Sequence, residues 1–197
     1  MSPDGRASRR ALISGAGTAL AGGSLGLVGG SLALAGCGSA ETGKQAVKNT
    51  SAPVQRQDIA VLSQALALER RTVAAYIAGM PLLTQPQRTT ARQFLNEELE
   101  HTGELISLIK AAGGKAPPRA DSYALGHPTD GPGVLALLHS LESLQIARYL
   151  EWIPRLSPGP VRAAVATILT VDAQHLSMVR VLQGQVPVPG PFVTGSV

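Results

Sequence analysis

The chain has a single cysteine, Cys37, in 197 residues. An internal disulfide and a Cys-x-x-Cys metal or redox site are therefore both excluded. Aromatic residues make up only 3% of the composition, and long stretches lack the Val/Ile/Thr/Tyr alternation of strands while being rich in Ala, Leu, Gln and Arg. An all-α chain is expected. No basic cluster interleaved with aromatics occurs after residue 36, so nucleic-acid binding has no support. What is present is 44% hydrophobic residues, enough for the core of one domain of ordinary size with extensions.

Charge is missing altogether from Ala11 to Gly36, and the run follows a basic segment containing Arg6, Arg9 and Arg10. Ser8-Arg9-Arg10-Ala11-Leu12-Ile13 resembles a bacterial twin-arginine export signal, with Leu12 where that pattern usually has Phe. Leu34-Ala35-Gly36-Cys37 resembles a lipobox, at which a signal peptidase cuts and Cys37 receives lipid. Residues 1–36 are thus expected to be an export signal, and the mature protein a lipoprotein held at the extracytoplasmic face of the cell membrane. Two other readings fit the same run, a signal cut elsewhere without lipid and an uncleaved anchor, since 26 uncharged residues are long enough to span. Eight glycines in it argue against a stable spanning helix. Removal of the signal takes away Arg6, Arg9, Arg10 and Asp4 and leaves 14 basic against 12 acidic residues, so the pI of 9.6 is partly a property of that segment.

Residues 37–57, rich in Gly, Ser, Thr, Lys and Gln, read as a flexible tether. A bundle is expected over 58–184. Its first helix runs from about Asp58 to Ile77 and stops at Gly79-Met80-Pro81; the second starts at Thr84 and Pro86 and ends at Gly113-Gly114. Residues 115–132, with four prolines, form a long crossover. The third helix spans about Val134 to Ile153 and the fourth about Val161 to Leu182, with an irregular tail over 185–197. Two helical hairpins joined by one long crossover are the result.

Each apolar stripe carries one acid. Glu69 lies among Leu62, Leu66, Val73 and Tyr76; Glu98 with Phe94, Leu95 and Leu105; Glu142 with Leu135, Leu138, Ile146 and Tyr149; Asp172 with Ile168, Leu169 and Val179. A buried ionised carboxylate is costly unless it is paired or coordinates a metal, so four converging acids require a cation. Glu98-x-x-His101 and Asp172-x-x-His175 put acid and imidazole about 60° apart on one helix face. Glu69 and Glu142 are each followed seven residues later by a tyrosine, Tyr76 and Tyr149, on the same face about 10.5 Å along the axis. The halves repeat in order, residue type and spacing, which chance seldom produces.

With these residues the chain resembles the ferritin-like superfamily, in which one Glu from each of two helices and a Glu-x-x-His from each of the other two hold a di-iron or di-manganese centre. Asn96-Glu97-Glu98-Leu99-Glu100-His101-Thr102-Gly103-Glu104-Leu105 resembles the second ferritin helix most closely. The resemblance implies an all-α, ferritin-like four-helix bundle in which Glu69, Glu98 and His101 serve one metal and Glu142, Asp172 and His175 the other. One carboxylate from each His-bearing helix bridges. Tyr76 and Tyr149 would donate hydrogen bonds to carboxylates across the bundle. Asp172 departs from the family's usual Glu. Iron is the first expectation for the two metal ions and manganese the second, with ferroxidase or peroxide-reducing chemistry; the alternative is a non-catalytic metal-binding or structural surface protein with a vestigial site. A tether on every subunit conflicts with a closed shell, so a monomer or homodimer is expected rather than a cage. Glu97, Glu100 and Glu104 fall off the apolar stripe and read as a solvated acidic face. Glu151 points away from Glu142, His139 reads as a boundary histidine, His127 has no evident role, and Trp152 is core.

Overall fold

Four helices follow from the stripes and stop signals. The computed structural model describes residues 52–195, with side chains from residue 56 onward. The export signal, Cys37 and most of the tether lie outside the described residues. The helices are α1 (Ala52–Gly79), α2 (Gln85–Ala111), α3 (Gly131–Trp152) and α4 (Pro160–Leu182), with single 3-10 turns at Met80–Leu82 and Ile153–Arg155 closing α1 and α3. Helix α1 begins six residues before Asp58 because Pro53 sits in its first turn, where a missing N–H interrupts no intrahelical bond. Helix α3 starts at Gly131, with Asp130 Oδ1 accepting the Gly133 N–H at 2.8 Å and Pro132 in the first turn.

The two His-bearing helices end alike. Gly113 (φ 82°) and Gly184 (φ 72°) adopt the left-handed conformation that only glycine takes without strain. Gly114 N–H then bonds Ile109 O at 2.9 Å, and Gln185 N–H bonds Arg180 O at 2.8 Å, the closing bond of a Schellman cap in each case. The sequence repeat is therefore also a structural one.

Helices α1 and α2 form one antiparallel hairpin and α3 and α4 the other, in an all-α, ferritin-like four-helix bundle with a long loop between the hairpins. That loop is fastened by α1: Arg70 Nη1 donates to Pro117 O at 2.8 Å and Pro118 O at 3.0 Å, and Arg71 Nη2 to Ala124 O at 2.9 Å. The core divides into two apolar clusters, one around Leu62, Leu66, Leu105, Ile109, Tyr149 and Trp152, the other around Tyr76, Phe94, Leu135, Leu138 and Val179. Along every helix the inward acid falls between them. Among the described residues no helix is long and apolar enough to cross a membrane.

Candidate metal centre

The polar layer between the two apolar clusters contains Glu69, Glu98, Glu142 and Asp172, each with no exposed surface, together with His101 and His175. Helical spacing puts each histidine beside its own acid, and packing brings all six side chains together. His101 Nδ1 lies 3.4 Å from Asp172 Oδ1, 3.6 Å from Glu69 Oε2 and 3.8 Å from Glu98 Oε1. His175 Nδ1 lies 3.2 Å from Glu98 Oε1 and 3.6 Å from Glu142 Oε1. Two overlapping sets result: Glu69, Glu98, His101 and Asp172, and Glu98, Glu142, Asp172 and His175, each with one donor atom per residue within 4.8 Å of the others. Glu98 and Asp172, from the two His-bearing helices, belong to both.

The tyrosines cross the bundle. Tyr76 Oη donates to Glu142 Oε1 at 2.6 Å, and Tyr149 Oη donates to Glu69 Oε1. Two further side chains, not foreseen from the sequence, close the α1–α3 side: Thr72 Oγ1 donates to Gln145 Oε1 at 2.7 Å, and Gln145 Nε2 donates to Glu98 Oε2 at 3.3 Å. A signal for them exists. Thr72 and Gln145 stand three residues after Glu69 and Glu142, the positions that His101 and His175 occupy in the other two helices.

Glu97 is not simply part of a solvated acidic face: its Oε2 lies 2.7 Å from His175 Nε2, and its side chain is only 37% exposed. It borders the inward stripe on the edge that meets α4. Glu100 and Glu104 are exposed, and Glu151 is exposed and pairs with Arg148 and Arg155. His139 Nε2 meets Arg180 Nη1 at 3.1 Å, His127 is exposed, and Trp152 is buried.

Whether these residues suit a metal is tested by the atoms left over. Glu69 Oε2, Glu142 Oε2, both Asp172 oxygens and His101 Nδ1 are buried and have no hydrogen-bond partner. Among the described residues no Lys or Arg pairs with any of the four acids. Buried acceptors without donors cost about 1–3 kcal/mol each, more when charged. Here they converge on the same small volume, the arrangement in which a cation would offset the cost.

The electrostatics agree. Burial, then the charges of Glu69 and Glu142, push the carboxyls of Glu98 and Asp172 well above the usual range. Burial also raises Glu69, but the nearby His101 and Glu98 and the Tyr149 hydrogen bond outweigh it and hold that carboxyl below the usual range. Burial and the facing carboxylates, Glu142 and Glu69, drive the phenols of Tyr76 and Tyr149 well up, so both remain donors.

A pH dependence follows. Unfolded carboxyls titrate near pH 4, so above about that pH the metal-free fold keeps protons on Glu98 and Asp172 that the unfolded chain releases. Its stability then falls as pH rises towards the raised folded values. Glu69 acts in the other direction only as pH drops below the usual range. Metal uptake requires deprotonated ligands, so its stabilisation grows with pH. Melts at about pH 5 and about pH 8 are expected to show the chelated protein more stable at the lower pH and the Mn(II)-induced shift larger at the higher one; opposite slopes would contradict this charge distribution.

A cavity of about 500 Å³ opens beside the cluster between α2 and α4, lined by Gln93, Glu97, His101, Val171, Gln174 and His175 among others. The surrounding sequence matches the family model described as "Ferritin-like domain" over residues 42–185.

The chain belongs to the ferritin-like domain family.

This ferritin-like protein resembles a conserved hypothetical protein from Mycobacterium tuberculosis of known structure, with a TM-score of 0.63 at 21% identity over 70% of this chain and 97% of that one. It also resembles a structure described as ferritin like, diiron-carboxylate proteins from Bacillus anthracis str. Ames, with a TM-score of 0.58 at 18% identity over 68% and 99% of the two chains. At those identities the likeness shows the shared fold. No curated protein matches. Family membership, the fold and the two overlapping buried Glu/His groups agree with a dinuclear site in this ferritin-like protein.

Proposed function

We propose that this protein binds two metal ions, iron first and manganese second, and acts as a ferroxidase or peroxide-reducing protein outside the cytoplasm. The observation that carries the reading is the convergence of unpartnered buried oxygens and His101 Nδ1 in two overlapping donor sets. Glu69, Glu98, His101 and Asp172 would hold one ion, and Glu98, Glu142, Asp172 and His175 the other. Such a centre supplies one-electron redox chemistry towards oxygen or peroxide. The chain's own residues bind and orient: Tyr76, Tyr149 and Gln145 each occupy one carboxylate oxygen of Glu142, Glu69 and Glu98 and leave the other for a cation. The apolar clusters on both sides keep water from the layer, and the opening between α2 and α4 admits small oxidants and ions.

Metal analysis of the purified protein is expected to give two ions per chain, and added Fe(II) to be oxidised with consumption of oxygen or peroxide. Two bound ions without turnover would support the non-catalytic alternative instead, and no bound ion would remove the proposal.

The same proposal includes export by the Arg9-Arg10 signal and anchoring through Cys37, with a monomer or homodimer rather than a cage as the assembly. Replacing both arginines by Lys is expected to leave precursor in the cytoplasm. Cys37→Ser is expected to abolish lipid labelling; labelling retained in that variant refutes the lipid anchor, since the chain has no other cysteine.

A further inference from the structure

The repeat that relates α1–α2 to α3–α4 sets Glu98 opposite Asp172 and His101 opposite His175. One residue before each acid it sets Glu97 opposite Val171. There the two halves differ in chemistry. His175 Nδ1 faces the cluster, 3.2 Å from Glu98 Oε1, while its Nε2 lies 2.7 Å from Glu97 Oε2. An imidazole that offers Nδ1 to a cation carries its proton on Nε2, and Glu97 stands where that N–H donates. A carboxylate in this position fixes the tautomer and raises the basicity of the ligating nitrogen. Phe94, one turn before Glu97 on α2, stacks on the His175 ring with centroids 4.2 Å apart and planes at 29°. Two side chains of α2 therefore hold the ring in place.

His101 has no equivalent support. Its Nδ1 faces Asp172 and Glu69, but among the described residues no carboxylate lies behind its Nε2. The positions that correspond to Glu97 and Phe94 are Val171 and Ile168, which offer no acceptor and no ring. Val171 lines the cavity between α2 and α4 beside His101.

We propose that Glu97 is a positioning residue for His175 and makes the two metal positions unequal: the one served by Glu142 and His175 fills first and holds its ion tightly, while the one served by Glu69 and His101 fills second and holds its ion more weakly. This rests on the two-metal reading above. Removal of a carboxylate behind a metal-bound histidine costs about 10- to 100-fold in metal affinity.

Equilibrium dialysis of the chelator-stripped full chain against Mn(II) tests it. Wild type is expected to bind two ions with dissociation constants at least about 10-fold apart. Glu97→Gln is expected to weaken the tighter constant by about 10- to 100-fold, to leave the weaker one within about threefold, and to leave the melting temperature in chelator unchanged. Val171→Glu, which places a carboxylate behind His101, is expected to tighten the weaker constant by about 10-fold. That variant decides the matter even if Glu97→Gln fails to fold. Two ions bound with one constant, or two constants that neither substitution moves, overturn the role of Glu97 and leave the two-metal reading standing. Failure of wild type to bind any Mn(II) or Fe(II) overturns both.

Discussion

Mn(II), or Fe(II) without oxygen, is expected to raise the melting temperature of the chelator-stripped protein by on the order of 10 °C at about 100 times the dissociation constant. Four fully buried acids with no Lys or Arg partner among the described residues hold the metal-free fold below the stability its two apolar clusters could give. An ion that binds only the native state adds about 2.7 kcal/mol per site at that excess, and a chain of this size gains about 2–4 °C per kcal/mol. The shift should grow with the logarithm of metal concentration and vanish on addition of chelator. His101→Ala with His175→Ala in one chain is expected to lose most of it. A wild-type melt that ignores both metals would end the metal-centre reading, whatever family the helices belong to.

The second large effect concerns Glu142 and Tyr76. Glu142→Leu is expected to abolish most of the metal-dependent shift. Its effect in chelator has two opposing parts, because removing the acid relieves repulsion with Glu98 and Asp172 but strands the buried Tyr76 hydroxyl, whose acceptor is Glu142 Oε1 at 2.6 Å. A buried hydroxyl without its partner costs about 1–3 kcal/mol, whereas replacing both partners by apolar groups of similar shape is near neutral. Glu142→Leu with Tyr76→Phe is therefore expected to be more stable in chelator than Glu142→Leu alone by about 1–3 kcal/mol, and at least as stable as wild type. Melts of wild type, both single variants and the double variant, each with chelator and with Mn(II), close the cycle. A double variant less stable than Glu142→Leu would show that the Tyr76–Glu142 bond does not set this cost.

Glu142 also shows where sequence reasoning stops. Periodicity identifies it as an acid on an apolar stripe, and on that ground alone its replacement by Leu reads as neutral or stabilising. The cost appears only once Tyr76, 66 residues away, is known to face it. Glu97 fails for a related reason. On its own helix it lies beside the apolar stripe, as solvated residues do, and its contact with His175 depends on how closely α4 approaches that edge. The start of α1 was hidden too, since residues 52–57 have the polar composition of a linker and only Pro53 marks a first turn.

Legible in the sequence were the four helices, the Gly113-Gly114 stop, the four inward acids, the two histidines beside them and the repeat that relates the halves. All of these are encoded within a turn or two of one helix, where 3.6-residue spacing fixes which side chains share a face. Which side chain meets which is a property of the packed bundle: Tyr149 with Glu69 and Tyr76 with Glu142, Gln145 with Glu98 and Thr72, Glu97 with His175, and Val171 beside His101. Those pairings depend on the rotation and axial shift of one helix against another, which side chains of both helices set together by packing ridges into grooves. No single helix's pattern contains that information, and so the six inward acids and histidines were legible in the sequence while the groups that meet them were not all.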